Sequence, residues 1–320
     1  HILILPYDIA SKLNPTFELT RRLTASGHRV TLAGSSALRE LTQSQGLAYH
    51  FTGDKQPLQH SPDFTKNSFR PFLTSKRMID SAVDALGIDK FQYILADLSP
   101  DMILIDIEHH QYIISAIPTG IPVLLLSTFV SPYKRSGLPP AHKGVIPGCG
   151  WKGSRLGLEY LWLRFRIRKL LIRFHKRFMA RGLDNISVLR RHAERSGFNF
   201  RAKVDLNQWI TPLYRNLPIL TFLSREFDFP HTPLPNHYYV GPLFNTKRKE
   251  VASSNNIEVD QQIDQILSVF RNRTHGRKLI YCGFGAFYKG DDIRFWMKLV
   301  HAFVKNRSWD VIFGLGGRNE

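Results

Sequence analysis

The chain has 320 residues, 43% of them hydrophobic, and a formal net charge of +18; that length suggests two domains with a sizeable core. The longest apolar stretch, 121–130, already contains Pro122, Ser127 and Thr128, well short of the roughly 18 residues of a membrane-spanning helix. Cys149 and Cys282 lie far apart, which excludes a disulfide framework and a CxxC metal site, and the first strand lacks a basic leader, so the sequence reads as cytoplasmic.

The opening predicts strand, loop, helix, strand. Ile2 to Leu5 is an apolar run stopped by Pro6; Asn14-Pro15 opens an amphipathic segment with Phe17, Leu19 and Leu23 at helical spacing; Gly27 closes it, and Arg29 to Leu32 is the next strand. In a parallel βαβ unit ligands bind at the carboxyl edge of the strands, so residues 6–14 are the first place to look for chemistry. A second helix (36–46), a third strand (47–51), a loop (52–70) and a helical stretch (71–98) follow. Met102 to Asp106 is a short buried strand ending in an acid, and after another helix Pro122 to Leu126 is the next. Strands and helices alternating in this way form a doubly wound parallel sheet.

Between Lys152 and Lys203 there are 15 Lys or Arg against three acids, so the positive charge is local. Residues 158–181 have helical period, with Leu158, Leu161, Trp162, Phe165, Leu170, Phe174 and Phe178 assigned to one side and Arg166, Lys169, Arg173, Lys176 and Arg177 to the other. Three readings are open: a core-packed helix with a solvated basic face, a helix seated on an anionic membrane surface, and a nucleic-acid contact. The last is disfavoured, since no binding motif is recognisable.

Strands are expected at 219–223 and 238–240, with Gly241 to Phe244 ending the series. The polar, aperiodic residues 245–257 read as a linker. Then come a helix (259–271), a strand (278–283), the loop 284–290, a helix (293–305) and a strand (310–313), the opening of a second βαβ domain over 258–320 that stops short of the usual size.

The segments PYDIASKLNPTFELTRRLTASGHRVTL, ILID…GIPVLLLST, YVGPLF and KLIYCGFGAF…WDVIFGLGGR, in this order, resemble family 1 glycosyltransferases, which include UDP-glycosyltransferases and macrolide or natural-product glycosyltransferases. The resemblance implies the GT-B architecture: two Rossmann-like domains, an acceptor-binding one over 1–244 and a nucleotide-sugar-binding one begun at 258 and incomplete by 320. It also implies inverting, metal-independent transfer from a nucleotide sugar, expected to be a UDP-sugar, to a hydroxyl of a small hydrophobic natural product or lipid. The donor is a co-substrate, and no cofactor or metal is expected.

Such transfer needs a base at the acceptor hydroxyl and dipoles facing the departing diphosphate. In the family the base is typically a histidine in a pattern like GHxNP, oriented by an aspartate after a later strand. Here the matching residues are Ser11, Lys12, Leu13, Asn14 and Pro15, with Lys12 at the histidine position, and Asp106 falls where the aspartate sits. A lysine is protonated at neutral pH unless desolvated. That leaves Asp106, favoured because strand end and resemblance agree on it, or Glu108, His109 or His110. The bland alternative makes Asp106 a helix cap and the two histidines surface residues.

On the donor side the resemblance picks out Ser11, Gly283, Gly285, Ala286, Phe287, Gly316 and Gly317; glycines permit close backbone approach to a diphosphate. On the acceptor side it picks out Asn14, Thr128, Phe129 and Tyr133. The basic helix beside them suits a lipophilic acceptor presented at the inner face of a membrane, or an acidic one. A catalytically silent homologue that binds a ligand or partner is the rival reading, favoured by Lys12. A dinucleotide oxidoreductase is a weak third, because the first loop lacks GxGxxG.

Overall fold

The computed structural model describes residues 1–53, 76–179, 183–232, 234–244, 264–265, 267–268, 278–283, 293–306 and 308–314. The chain divides into two compact units, His1–Arg248 and Lys249–Glu320. The expected linker at 245–257 lies outside the described residues.

The first unit is built on a seven-stranded, all-parallel sheet. In chain order its elements are β1 (Ile2–Leu5), α1 (Ala10–Ala25), β2 (Val30–Gly34), α2 (Ser36–Ser44), β3 (Tyr49–Phe51), α3 (Lys76–Asp84), α4 (Asp89–Leu98), β4 (Met102–Asp106), α5 (His110–Ala116) and β5 (Val123–Ser127). There follow α6 (Gly150–Gly153), α7 (Arg155–Met179), α8 (Asn185–Arg195), α9 (Phe200–Lys203), the short antiparallel pair β6 (Val204–Asp205) and β7 (Leu213–Tyr214), then β8 (Ile219–Thr221) and β9 (His237–Tyr239). The strand order is β3-β2-β1-β4-β5-β8-β9. Ile2 pairs with Val30 on one side and Met102 on the other, so the direction of winding reverses between β1 and β4.

Both faces of the sheet are covered, which is why its strands are apolar at consecutive rather than alternate positions. Leu3, Leu5, Ile103, Ile105 and Leu125 face one core with Ala82, Val83, Phe91, Leu95, Ile113, Ile114, Val188 and Leu189 of α3, α4, α5 and α8. Ile4, Leu32, Leu104 and Leu126 face the other, against Leu13, Phe17, Leu19 and Leu38 of α1 and α2. The YVGPLF turn owes its glycine to close packing: a Cβ on Gly241 would lie 1.7 Å from the Phe222 carbonyl oxygen.

Three expectations need correcting. The first helix starts at Ala10, not at Asn14-Pro15; Pro15 lies in its second turn, where the missing N–H forfeits a bond to the Ser11 carbonyl. The stretch 76–98 is two helices broken at Gly87, whose φ of 66° belongs to the left-handed region; residues 71–75 lie outside the described residues.

The third correction concerns α7. Its inward side holds Leu158 and Trp162, the latter donating from Nε1 to the Leu138 carbonyl at 2.8 Å. Lys169 and Arg173, expected on a solvated or lipid-facing side, instead turn toward the chain after β6. Lys169 Nζ donates to the carbonyls of Gln208 (2.6 Å) and Trp209 (3.0 Å), and Arg173 donates to the Leu206 carbonyl (3.1 Å). Burial, with Arg173 beside it, brings the Lys169 ammonium down to about 8. Leu170, Phe174 and Phe178, assigned to the same side as Leu158 and Trp162, are instead exposed.

In the second unit β10 (Lys278–Gly283) and β11 (Trp309–Gly314) are parallel, in register from Lys278 opposite Trp309 to Gly283 opposite Gly314, with α10 (Ile293–Val304) between them in sequence. That is a βαβ unit closed by aromatic packing of Trp296 and Phe303 on Phe313.

Candidate functional site

The reversal of winding between β1 and β4 opens a crevice at their carboxyl ends, the usual ligand position of an open parallel sheet. Residues from three strand ends meet there. Tyr7 and Lys12 come from the turn after β1 and the first turn of α1, Asp106 and Glu108 from the end of β4, and Phe129 from the turn after β5.

Lys12 is the hub. Its Nζ donates to Asp106 Oδ1 at 2.9 Å and to Glu108 Oε2, and lies 4.4 Å from the centre of the Tyr7 ring and 5.4 Å from that of Phe129. The side chains of Lys12 and Asp106 are 5% exposed and that of Glu108 is 21% exposed, so Glu108 is the member of the trio most open to a ligand. Asp106 Oδ1 also accepts the Glu108 backbone N–H at 2.9 Å, which fixes the turn after β4. Burial raises the Asp106 carboxyl to about 6, against the lowering effect of the Lys12 ammonium. The Tyr7 hydroxyl is pushed up to about 12 by burial and by the carboxylates of Glu108, Asp106 and Asp8. Lys12 thus bridges the carboxylates of Asp106 and Glu108 at the crevice.

The two histidines are neither surface residues nor accessible bases. His109 and His110 are buried, which lowers their rings to about 4 and about 3 and keeps them neutral. His109 Nε2 donates to the Pro6 carbonyl at 2.8 Å, and its ring packs against Tyr7 at 5.0 Å; it supports the first loop from below.

Among the acceptor-side residues, Phe129 joins the cluster and meets Trp209 edge-on at 6.0 Å. Thr128 is half-buried beside it, while Tyr133 packs on the core. Ser11 is exposed and Asn14 half-buried on α1. Gly283 ends β10; Gly285, Ala286, Phe287, Gly316 and Gly317 lie outside the described residues. Sequence reasoning missed Tyr7 and Trp209. Tyr7 lies within the first loop that the βαβ pattern marked out, whereas nothing local distinguishes Trp209.

No protein-family model matches the chain, and no curated protein matches it by sequence. Solved structures do match its fold. The glycotransferase of kitacinnamycin aligns over 100% of this chain and 66% of its own, with TM-score 0.56 and 17% identity. The calicheamicin glycosyltransferase aligns over 100% of this chain and 65% of its own (TM-score 0.52, 13% identity), and the spinosyn forosaminyltransferase over 98% and 64% (TM-score 0.50, 14% identity). The chain therefore spans slightly less than two thirds of their length. Identity this low speaks to the fold alone, and the chain shares the GT-B fold of family 1 natural-product glycosyltransferases.

Proposed function

We propose that the chain is part of a glycosyltransferase that moves a sugar from a nucleotide-sugar donor, a UDP-sugar, to the hydroxyl of a small hydrophobic acceptor or lipid. The observation that carries this reading is the Lys12–Asp106–Glu108 trio at the crevice between β1 and β4. It lies where the resemblance calls for a base and its orienting aspartate. Glu108, the most exposed of the three, takes the proton of the acceptor hydroxyl. The acceptor oxygen then bonds to the anomeric carbon as the bond from that carbon to the diphosphate breaks, and the diphosphate leaves with the electron pair. Asp106 holds Lys12, and Lys12 in turn positions the Glu108 carboxyl at the crevice, where it meets the acceptor hydroxyl. Phe129 and Trp209 offer an aromatic wall to an apolar acceptor, with Asn14, Thr128 and Tyr133 in the same acceptor region. Ser11, Gly283, Gly285, Ala286, Phe287, Gly316 and Gly317 serve the donor. The resemblance makes the route a single displacement with inversion and without a metal.

The pairing of Lys12 on both sides favours one rival, a homologue that binds its ligands without turnover, because the histidine position of the family then carries no free base. Mass-spectrometric detection of sugar transfer by the full-length protein separates the two. UDP-glucose and other nucleotide sugars are offered with a panel of hydroxylated hydrophobic acceptors. Product that is lost in Glu108→Gln supports the transferase, whereas nucleotide-sugar binding without product from any donor supports the silent homologue.

A further inference from the structure

We propose that α7 docks the protein on the surface of an anionic lipid bilayer, with its outward apolar stripe seated at the boundary between headgroups and acyl chains. This inference does not depend on the transferase reading. Leu156, Tyr160, Leu163, Ile167, Leu170, Leu171, Phe174 and Phe178 recur at intervals of three and four, so they fall on one narrow line along the helix. All are exposed; Leu156, Phe174 and Phe178 keep 81%, 72% and 61% of their surface. From Leu156 to Phe178 the line is about 33 Å long, and a contiguous exposed apolar patch of this kind marks an interaction site. Trp151, 66% exposed, extends it with its ring 5.9 Å from Tyr160.

The helix cannot hide this face by rolling. Trp162, Lys169 and Arg173 tie the opposite side to Leu138 and to residues 206–211. Nor is it apolar enough to cross a membrane; it can only lie on one.

Charge selects the occupant. α7 carries eight Lys or Arg and one acid, Glu159, which Lys134 already engages. Arg164 and Arg168 border the stripe on one flank, and with His142 and Lys143 they line a cavity of about 260 Å³. Helical spacing puts Arg166 and Arg177 on the other flank. An apolar line between two cationic margins complements a surface that presents phosphates outside and hydrocarbon beneath. A protein groove would have to supply both features over the same length.

The test is flotation of the full-length protein with vesicles of phosphatidylcholine alone and of phosphatidylcholine with about 30% phosphatidylglycerol, at low and high salt. The proposal expects binding to the anionic vesicles that salt weakens. It also expects a loss of at least about tenfold in Leu163→Ser/Leu170→Ser/Phe174→Ser and a clear loss in Arg164→Gln/Arg168→Gln. The substituted side chains are outward-facing, so both variants should keep the wild-type circular dichroism and melting temperature. Wild-type protein that stays in solution, or binding unchanged in the apolar triple variant, overturns the proposal. So does a dimer in light scattering that the triple variant dissolves, since a second copy would then cover the face.

Discussion

Lys12 Nζ sits 2.9 Å from Asp106 Oδ1, and both side chains are 5% exposed, so the two form a buried ion pair between the first turn of α1 and the end of β4. Removing one partner strands the other charge away from water, which typically costs about 3–5 kcal/mol. Lys12→Met should lose stability on that scale in urea denaturation. Lys12→Met/Asp106→Leu should recover part of the loss, because only the partly exposed Glu108 then lacks its partner. A single variant that loses less than about 1 kcal/mol would mean the pair is not desolvated.

Glu108 is the trio's most exposed carboxylate, and general-base catalysis is worth about 10²–10⁴ in rate. If it takes the acceptor proton, Glu108→Gln should lower kcat at least about 100-fold with donor affinity unchanged, read by product formation and by calorimetric titration of the nucleotide sugar. Asp106→Asn should also lose activity, and with it the orientation of Lys12. A Glu108→Gln enzyme of wild-type kcat would remove Glu108 from the role.

The core of the first unit was legible because β1, β4 and β5 are apolar at successive positions, as a sheet covered on both faces requires, and the acid at the end of β4 marked the crevice. What failed was set by distant contacts. α7 has apolar residues toward the core and a second apolar line toward solvent. Periodicity alone merges the two, and the bonds from Lys169 and Arg173 to residues 206–211 that decide which face turns inward are invisible in the helix's own sequence. The burial of His109 likewise depends on Pro6, 103 residues earlier. Pro15 misled in a different way: proline is a good helix opener, but this helix had already begun.

Buried histidines set the pH dependence of stability. Burial lowers His109 and His237 to about 4 and His110 to about 3, against roughly 6.5 in the unfolded chain. Between those values the unfolded chain binds protons that the fold does not, so stability falls as pH drops below about 6.5. Asp106 acts in the opposite sense: raised to about 6, it takes up its proton in the fold before the unfolded chain does. Three histidines against one aspartate leave a net excess of about two protons on the unfolded chain near pH 5, or roughly 2–3 kcal/mol per pH unit. Urea midpoints should therefore be lower at pH 5 than at pH 7 and level above it. Equal midpoints would show that the histidine rings are open to water.

Asp228 ties the turn after β5 to β9. Its Oδ2 accepts from the Ser131 backbone N–H at 3.0 Å and from the Tyr239 hydroxyl at 2.6 Å, while Oδ1 accepts from Arg135 at 2.8 Å. Burial alone would raise this carboxyl, yet those hydrogen bonds outweigh it and hold the group at about 2. The charge therefore persists, and stabilises the fold, at any pH above the ordinary carboxylate range. Phe129 and the following loop hang from this anchor, so its loss should be felt at the crevice as well as in stability. Asp228→Ala should cost about 3–5 kcal/mol in urea and speed amide exchange across residues 128–138. The milder Asp228→Asn keeps the shape, and should lose less stability while still loosening Arg135. Unchanged exchange in 128–138 for Asp228→Ala would mean that the loop is held by its own packing on Trp209 and the core.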